Sequence, residues 1–98
     1  MNSDRFTPAA RNDLFDLWSY IAADNPDAAD RVEGEILGAC QRLASRPSLG
    51  HFRRDLTDMT VRFFPVRGTY LIVYDPTTEP LEIIRILHGA RDATAELE

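Results

Sequence analysis

Near its C-terminal end the chain reads RILHGARD, Arg85 to Asp92, a run of groups able to move a proton or hold an anion. A histidine with an ordinary pKa of about 6.5 suits general acid or base work at neutral pH. His88 stands between Arg85 and Arg91, and Arg62 and Arg67 precede it in an earlier stretch. Cleavage of RNA needs this combination. A base takes the 2′-hydroxyl proton, an acid protonates the leaving oxygen, and cations stabilise the charged phosphorane. The same residues also fit a strand that ends at His88, with Gly89 permitting a turn and Arg91-Asp92 forming a solvated tip. In that second reading His88 hydrogen-bonds backbone or a carboxylate, or touches a protein partner.

The rest of the composition narrows the chemistry. All eleven basic residues are arginine, so lysine chemistry is excluded while bidentate recognition of carboxylate or phosphate is not. The single cysteine, Cys40, falls on an apolar helical stripe and reads as a buried thiol in a cytosolic protein. Two isolated histidines and no Cys/His cluster predict no metal site, and no phosphate-binding glycine loop predicts a cofactor. His51, beside Gly50, has no acid or nucleophile near it and reads as loop.

Positioning these groups falls to five or six elements. Thr7-Pro8 reads as a helix cap followed by proline at the first helical position. Ala10, Leu14, Leu17, Trp18 and Ile21 then recur at helical spacing, with Trp18 expected to cover the seam between helix and sheet. Asn25-Pro26 stops this helix and caps the next, whose stripe is Ala29, Val32, Ile36, Cys40 and Leu43. SRPSLG, Ser45 to Gly50, ends the second helix. The period then changes to two. TVRFFPV (Thr60 to Val66), TYLIVYD (Thr69 to Asp75) and LEIIRIL (Leu81 to Leu87) are β-branched or aromatic, with a tight turn at Arg67-Gly68. DRFT adds a short first strand. The order β-α-α-β-β-β predicts an α+β fold: a helical hairpin over about residues 8–45 on an antiparallel sheet over about 60–88, in one domain of 98 residues.

Strict alternation places Tyr70, Ile72 and Tyr74 opposite Leu71 and Val73, and Leu81, Ile83 and Leu87 opposite Ile84 and Ile86. The two helices can cover one face only. The other face has no further element to cover it apart from a short tail, and reads equally as a surface for a partner or as the satisfied centre of a twisted sheet. Arg62 and Arg85 lie on apolar strands, where each is expected to meet a carboxylate.

Charge weighs against nucleic acid as the partner. The net charge is −5, and phosphate affinity needs a cationic footprint. The distribution is uneven. Residues 1–40 carry three Arg against eight acids (−5), residues 41–74 six Arg against two acids (+4), and residues 75–98 two Arg against six acids (−4). No apolar stretch approaches the ~20 residues of a membrane span, and MNSDRFTPAAR lacks the apolar core of a secretory signal, so a cytoplasmic protein is expected.

Four stretches together resemble the ParE/RelE superfamily of toxins from type II toxin–antitoxin systems, the ParE-like branch (plasmid stabilisation proteins) most closely. They are ARNDLFDLWSYIAADNPDAADR over the hairpin, LASRPSLG closing it, VRFFPVRGTYLIVY in the central strands and RILHGARD at the end. The resemblance runs from about Thr7 to Asp92. It implies a toxin held in a hetero-oligomer by a ParD-like antitoxin, which lays a helix and a strand onto the toxin's groove and sheet. It also implies DNA gyrase as target, inhibited by protein–protein contact without catalysis, without a cofactor and without sequence-specific nucleic-acid binding.

The RelE-like branch of the same fold instead cleaves mRNA on the ribosome. There an arginine stands in the strand matching TYLIVY, an arginine follows the last strand, and lysines and a C-terminal tyrosine or histidine assist. This chain keeps Arg91, has Leu71 in the middle strand and Leu97 near the C-terminus, and lacks lysine. No catalytic residue is therefore expected; were the chain a ribonuclease, His88, Arg91 and Arg62 would carry the reaction. A third reading is a decayed toxin that only binds antitoxin. The contact candidates for antitoxin or target are Arg62, Arg67, Tyr70, Tyr74, Arg85, His88 and Arg91.

Overall fold

Thr7 and Asn25 start the two helices as their side chains dictate. In the computed structural model, which describes residues 3–89, Thr7 Oγ1 accepts from the Ala10 N–H at 3.1 Å, and Asn25 Oδ1 from the Ala28 N–H at 3.1 Å. Each satisfies one of the donors that a helix N-terminus leaves orphaned, and each precedes a proline whose missing N–H costs nothing there. Helix α1 spans Pro8–Ala22 and α2 spans Pro26–Ser45. Thr7 also ties α1 to the sheet, since its hydroxyl donates to the Ile84 carbonyl at 2.8 Å and its N–H to that of Ile83 at 3.0 Å.

A 3-10 turn, Pro47–Leu49, ends α2. The strands are β1 (Asp4–Phe6), β2 (Arg62–Val66), β3 (Tyr70–Asp75) and β4 (Leu81–His88), in the order β1-β4-β3-β2. β2, β3 and β4 pair antiparallel, as expected, but β1 pairs parallel with β4. The sheet is therefore mixed rather than wholly antiparallel. The physical reason is the connection: a strand entering through a helical hairpin and reaching its neighbour by a long crossover can run alongside it, which a two-residue turn forbids.

The β2–β3 turn puts Arg67 (φ 57°) and Gly68 (φ 69°) in the left-handed region, and the Thr69 N–H closes it on the Val66 carbonyl at 3.2 Å. Two successive positive φ values match the right-handed twist of the flanking strands. At Arg67 they cost about 1 kcal/mol that glycine would not incur.

The larger core lies between helices and sheet, built from Val32, Ile36, Cys40 and Leu43 of α2 against Ile72, Tyr74, Ile83 and Ile86. Cys40 is fully buried, and its thiol is pushed up to about 12, first by burial and then by the nearby Asp4 carboxylate. The neutral thiol is the form the fold favours. This contribution is complete below the ordinary value of 9.0 and is lost as pH rises from there towards about 12. The native thiol should therefore resist a disulfide reagent at pH 8 and react at once in denaturant; rapid labelling of the folded protein would refute the burial.

Trp18 departs from expectation. It is half-buried and turns to α2, where its indole N–H donates to Asp30 Oδ1 at 2.9 Å. It joins helix to helix and does not seal the helix–sheet seam.

Two further departures concern the sheet. Alternation along β4 breaks where the pairing shifts: Ile83 lies opposite Tyr74, but Arg85 lies opposite Val73, leaving Ile84 as an extra residue. A bulge of this kind resets the phase of everything after it. Leu81, Ile83 and Ile86 thus face the helices, and Ile84 and Leu87 face away, whereas strict alternation had paired Leu87 with Ile83.

The second face is not open either. Residues 51–61 cross it as an irregular strap, burying Leu56 and Val61 against Phe63, Leu71, Val73 and Leu87. The strap begins at a two-way bridge between His51 and Phe63, with N–H to carbonyl distances of 2.9 and 2.8 Å. That bridge uses the outward-facing backbone groups of Phe63 on the β2 edge, and the next outward residue, Pro65, has no N–H.

Candidate functional site

Helix α1 and the last residues of β4 enclose a groove of about 500 Å³. Asp13, Asp16, Leu17 and Tyr20 recur three and four apart along α1 and form one wall. Tyr70, Arg85, Ile86 and His88 form the other. The strand pairing that sets Tyr70 opposite His88 brings their rings to 5.5 Å between centroids, tilted at 59°. His88 is exposed, and Tyr20 more so at 84%. The lining is thus aromatic and aliphatic, with a few polar tips: a surface for an amphipathic segment.

Asp13 and Arg85 organise the wall. Arg85 donates from Nε to Asp13 Oδ2 at 2.7 Å and from Nη2 to Oδ1 at 2.9 Å, a bidentate pair mostly removed from solvent. The same carboxylate accepts the Ile86 N–H at 3.0 Å. Asp13 stands on α1, so this pair joins that helix to β4 beside the bulge. The carboxylate expected for Arg85 is therefore Asp13.

The other candidates lie apart. Arg62 meets no carboxylate among the described residues; it donates to the Gly50 carbonyl at 2.7 Å and stacks 4.2 Å from the Phe52 ring centre. It pairs with Tyr74 at the far end of β3 from Tyr70, so about 13 Å of strand separates it from the His88 end. Arg67 sits at the β2–β3 turn, paired to Glu35 of α2 at 2.8 Å in an exposed contact. Tyr74, counted among the contact candidates, is fully buried. Its hydroxyl donates to the Pro47 carbonyl and accepts the Gly50 N–H at 2.8 Å, and burial pushes its pKa up. It is a tether for the loop after α2 and offers nothing to a partner. Arg91, with Asp92 and Leu97, lies outside the described residues.

The fold therefore assembles Tyr70, Arg85 and His88 in one groove and removes Arg62, Arg67 and Tyr74 from it. It adds Asp13, Asp16 and Tyr20, which the sequence signalled only through their i, i+3, i+7 spacing on α1. A phosphate in this groove would face Arg85 already neutralised by Asp13. Among the described residues no group of His, Cys, Asp or Glu is arranged to hold a metal ion, and no helix is long and apolar enough to cross a membrane.

A family model described as the ParE toxin of the type II toxin–antitoxin system parDE matches residues 5–93. No curated protein matches the chain. Among solved structures it is similar to one of the chromosomal ParDE toxin–antitoxin system from P. aeruginosa, at 20% identity, covering 90% of this chain and 96% of that one, with a TM-score of 0.71. At that identity the likeness speaks for the fold.

Proposed function

This chain belongs to the ParE toxin family of type II toxin–antitoxin systems, and from that premise we propose that it is neutralised by a ParD-like antitoxin seated in the α1–β4 groove and that it inhibits DNA gyrase by protein–protein contact in the cytoplasm. The observation that carries the reading is the groove itself: aromatic and aliphatic walls, with its guanidinium already engaged by Asp13. An amphipathic helix lays apolar anchors three and four residues apart into such a surface. Catalysis of RNA cleavage would ask the same walls for cations free to meet a phosphorane, and Arg85 is spent on structure.

His88 in this reading is a contact residue tilted against Tyr70, not an acid or base. The test compares three readouts of the chain expressed without antitoxin and purified. Supercoiling by gyrase should be blocked, and His88→Ala should weaken antitoxin binding on the order of tenfold without changing cleavage of any mRNA. Rapid mRNA cleavage on the ribosome that His88→Ala abolishes would overturn the proposal in favour of an mRNA interferase. Tight antitoxin binding with neither effect would mean a toxin that has lost its target.

A further inference from the structure

We propose that the strap between α2 and β2 carries a second docking surface, one that receives an acidic segment of a protein partner at Phe52, Arg54 and Arg62. The inference is separate from the gyrase assignment and from the groove. Phe52 is 44% exposed, with the Arg62 guanidinium 4.2 Å and that of Arg54 5.3 Å from its ring centre. Met59, on the same strap, is 47% exposed. The strap packs through Leu56 and Val61 on the sheet face turned away from the helices, so the surface and the α1–β4 groove can be occupied together.

What distinguishes these two arginines is that both guanidiniums lie against one exposed ring while their N–H groups donate to carbonyls. Arg62 donates to the Gly50 carbonyl at 2.7 Å, and Arg54 to the Asp58 carbonyl at 3.2 Å. A carbonyl oxygen accepts a hydrogen bond without cancelling a charge. Arg5, Arg53, Arg67 and Arg85 are each held by a carboxylate: Glu82, Asp55, Glu35 and Asp13. Among the described residues neither Arg54 nor Arg62 has such a partner, so two full positive charges stand over one exposed ring. The surrounding charge agrees. Residues 51–62, from the start of the strap to the first residue of β2, carry three Arg against two Asp (+1), in a chain of net charge −5. Like charges elsewhere on the chain repel an acidic partner, and this region attracts it.

A protein fits the surface better than a nucleic acid does. Arginine, aromatic residues and methionine are the types enriched at the buried centres of protein interfaces. A polyphosphate, by contrast, meets a chain of net charge −5 and needs a wider cationic track than two guanidiniums.

The probe is poly(L-glutamate), titrated at low salt into the full-length chain, alone and bound to its antitoxin. Binding should appear in both states and weaken on the order of tenfold in Arg54→Glu, since reversing an interfacial charge replaces attraction by repulsion. Arg54 is exposed and outside both cores, so the variant should keep its melting temperature; Arg54→Gln, expected to weaken binding less, separates charge from shape. Arg67→Glu, at the β2–β3 turn, should leave binding unchanged. Equal binding by wild type and Arg54→Glu, or no binding, overturns the surface. Tighter binding of an oligothymidylate assigns it to nucleic acid, and loss of binding on adding antitoxin assigns it to the antitoxin; each overturns the proposal. Gyrase that supercoils normally in the presence of the chain overturns the gyrase reading alone.

Discussion

Gly50→Ala should destabilise the fold by about 3 kcal/mol, although alanine is the smallest residue with a side chain. The backbone there is extended (φ −76°, ψ 176°), so alanine meets no conformational penalty. The cost is space. An added Cβ would lie 2.5 Å from the Tyr74 hydroxyl oxygen, 2.7 Å from its Cε1 and 3.0 Å from the Phe63 carbonyl. Tyr74 cannot yield, because it is fully buried in the main core and its hydroxyl is held by Pro47 and Gly50. The Phe63 carbonyl cannot yield either, because it accepts the His51 N–H that anchors the strap. Relief must come from breaking one of these bonds and leaving a buried polar group unpaired. For a chain of this length the melting temperature should fall by roughly 15 °C. Tyr74→Phe should cost less, about 2 kcal/mol, through the two lost hydrogen bonds alone. A Gly50→Ala protein that melts with the wild type would show that the loop after α2 is not fixed by the tyrosine.

Removing the Asp13 carboxylate should cost nearly as much. Asp13→Ala takes away the acceptor of two Arg85 bonds and of the Ile86 N–H in one step. Breaking a buried pair by deleting one partner typically costs 3–5 kcal/mol, and partial exposure of this one brings the expectation to about 2.5 kcal/mol. Asp13→Asn keeps an oxygen for the Ile86 N–H and should cost about half as much. The measurement is chemical denaturation of Asp13→Ala, Arg85→Met and the double variant. A coupling of about 1 kcal/mol or more between the two positions is expected, and additive losses would show that the pair is not what joins α1 to β4. Because the pair forms part of the groove wall, both single variants should also weaken antitoxin binding.

The order of elements was legible because each depends on local signals. Thr7-Pro8 and Asn25-Pro26 are caps whose chemistry acts within three residues, and both helices begin where those residues stand. The short β1 could be read from DRFT, but not its direction, which follows from the crossover. The face assignment of Ile84 held, and those of Ile86 and Leu87 failed, because of one extra residue. A bulge depends on where β4 must bend to meet α1, and period-two alternation holds no record of that. The strap was missed for a related reason. Leu56 is a single apolar residue in an aperiodic stretch and Val61 reads as part of the next strand, yet the sheet's second face depends on both. Arg62 was expected to find a carboxylate, and no spacing rule says that a carbonyl and an aromatic ring twelve and ten residues upstream would serve instead. His88 and Tyr70 were both candidates, but only strand pairing shows that they form one site.

The β2 edge has a consequence for how the protein behaves in a crowd. An unfinished sheet edge is a template on which a second chain can lay a strand, and repetition of that event builds fibres. Here His51 occupies the outward groups of Phe63, and Pro65 has no N–H to give. Any growth of the sheet through β2 is thus blocked by two residues that cost the fold little. The chain would otherwise present that edge to its own copies, so the cap works against self-templated aggregation.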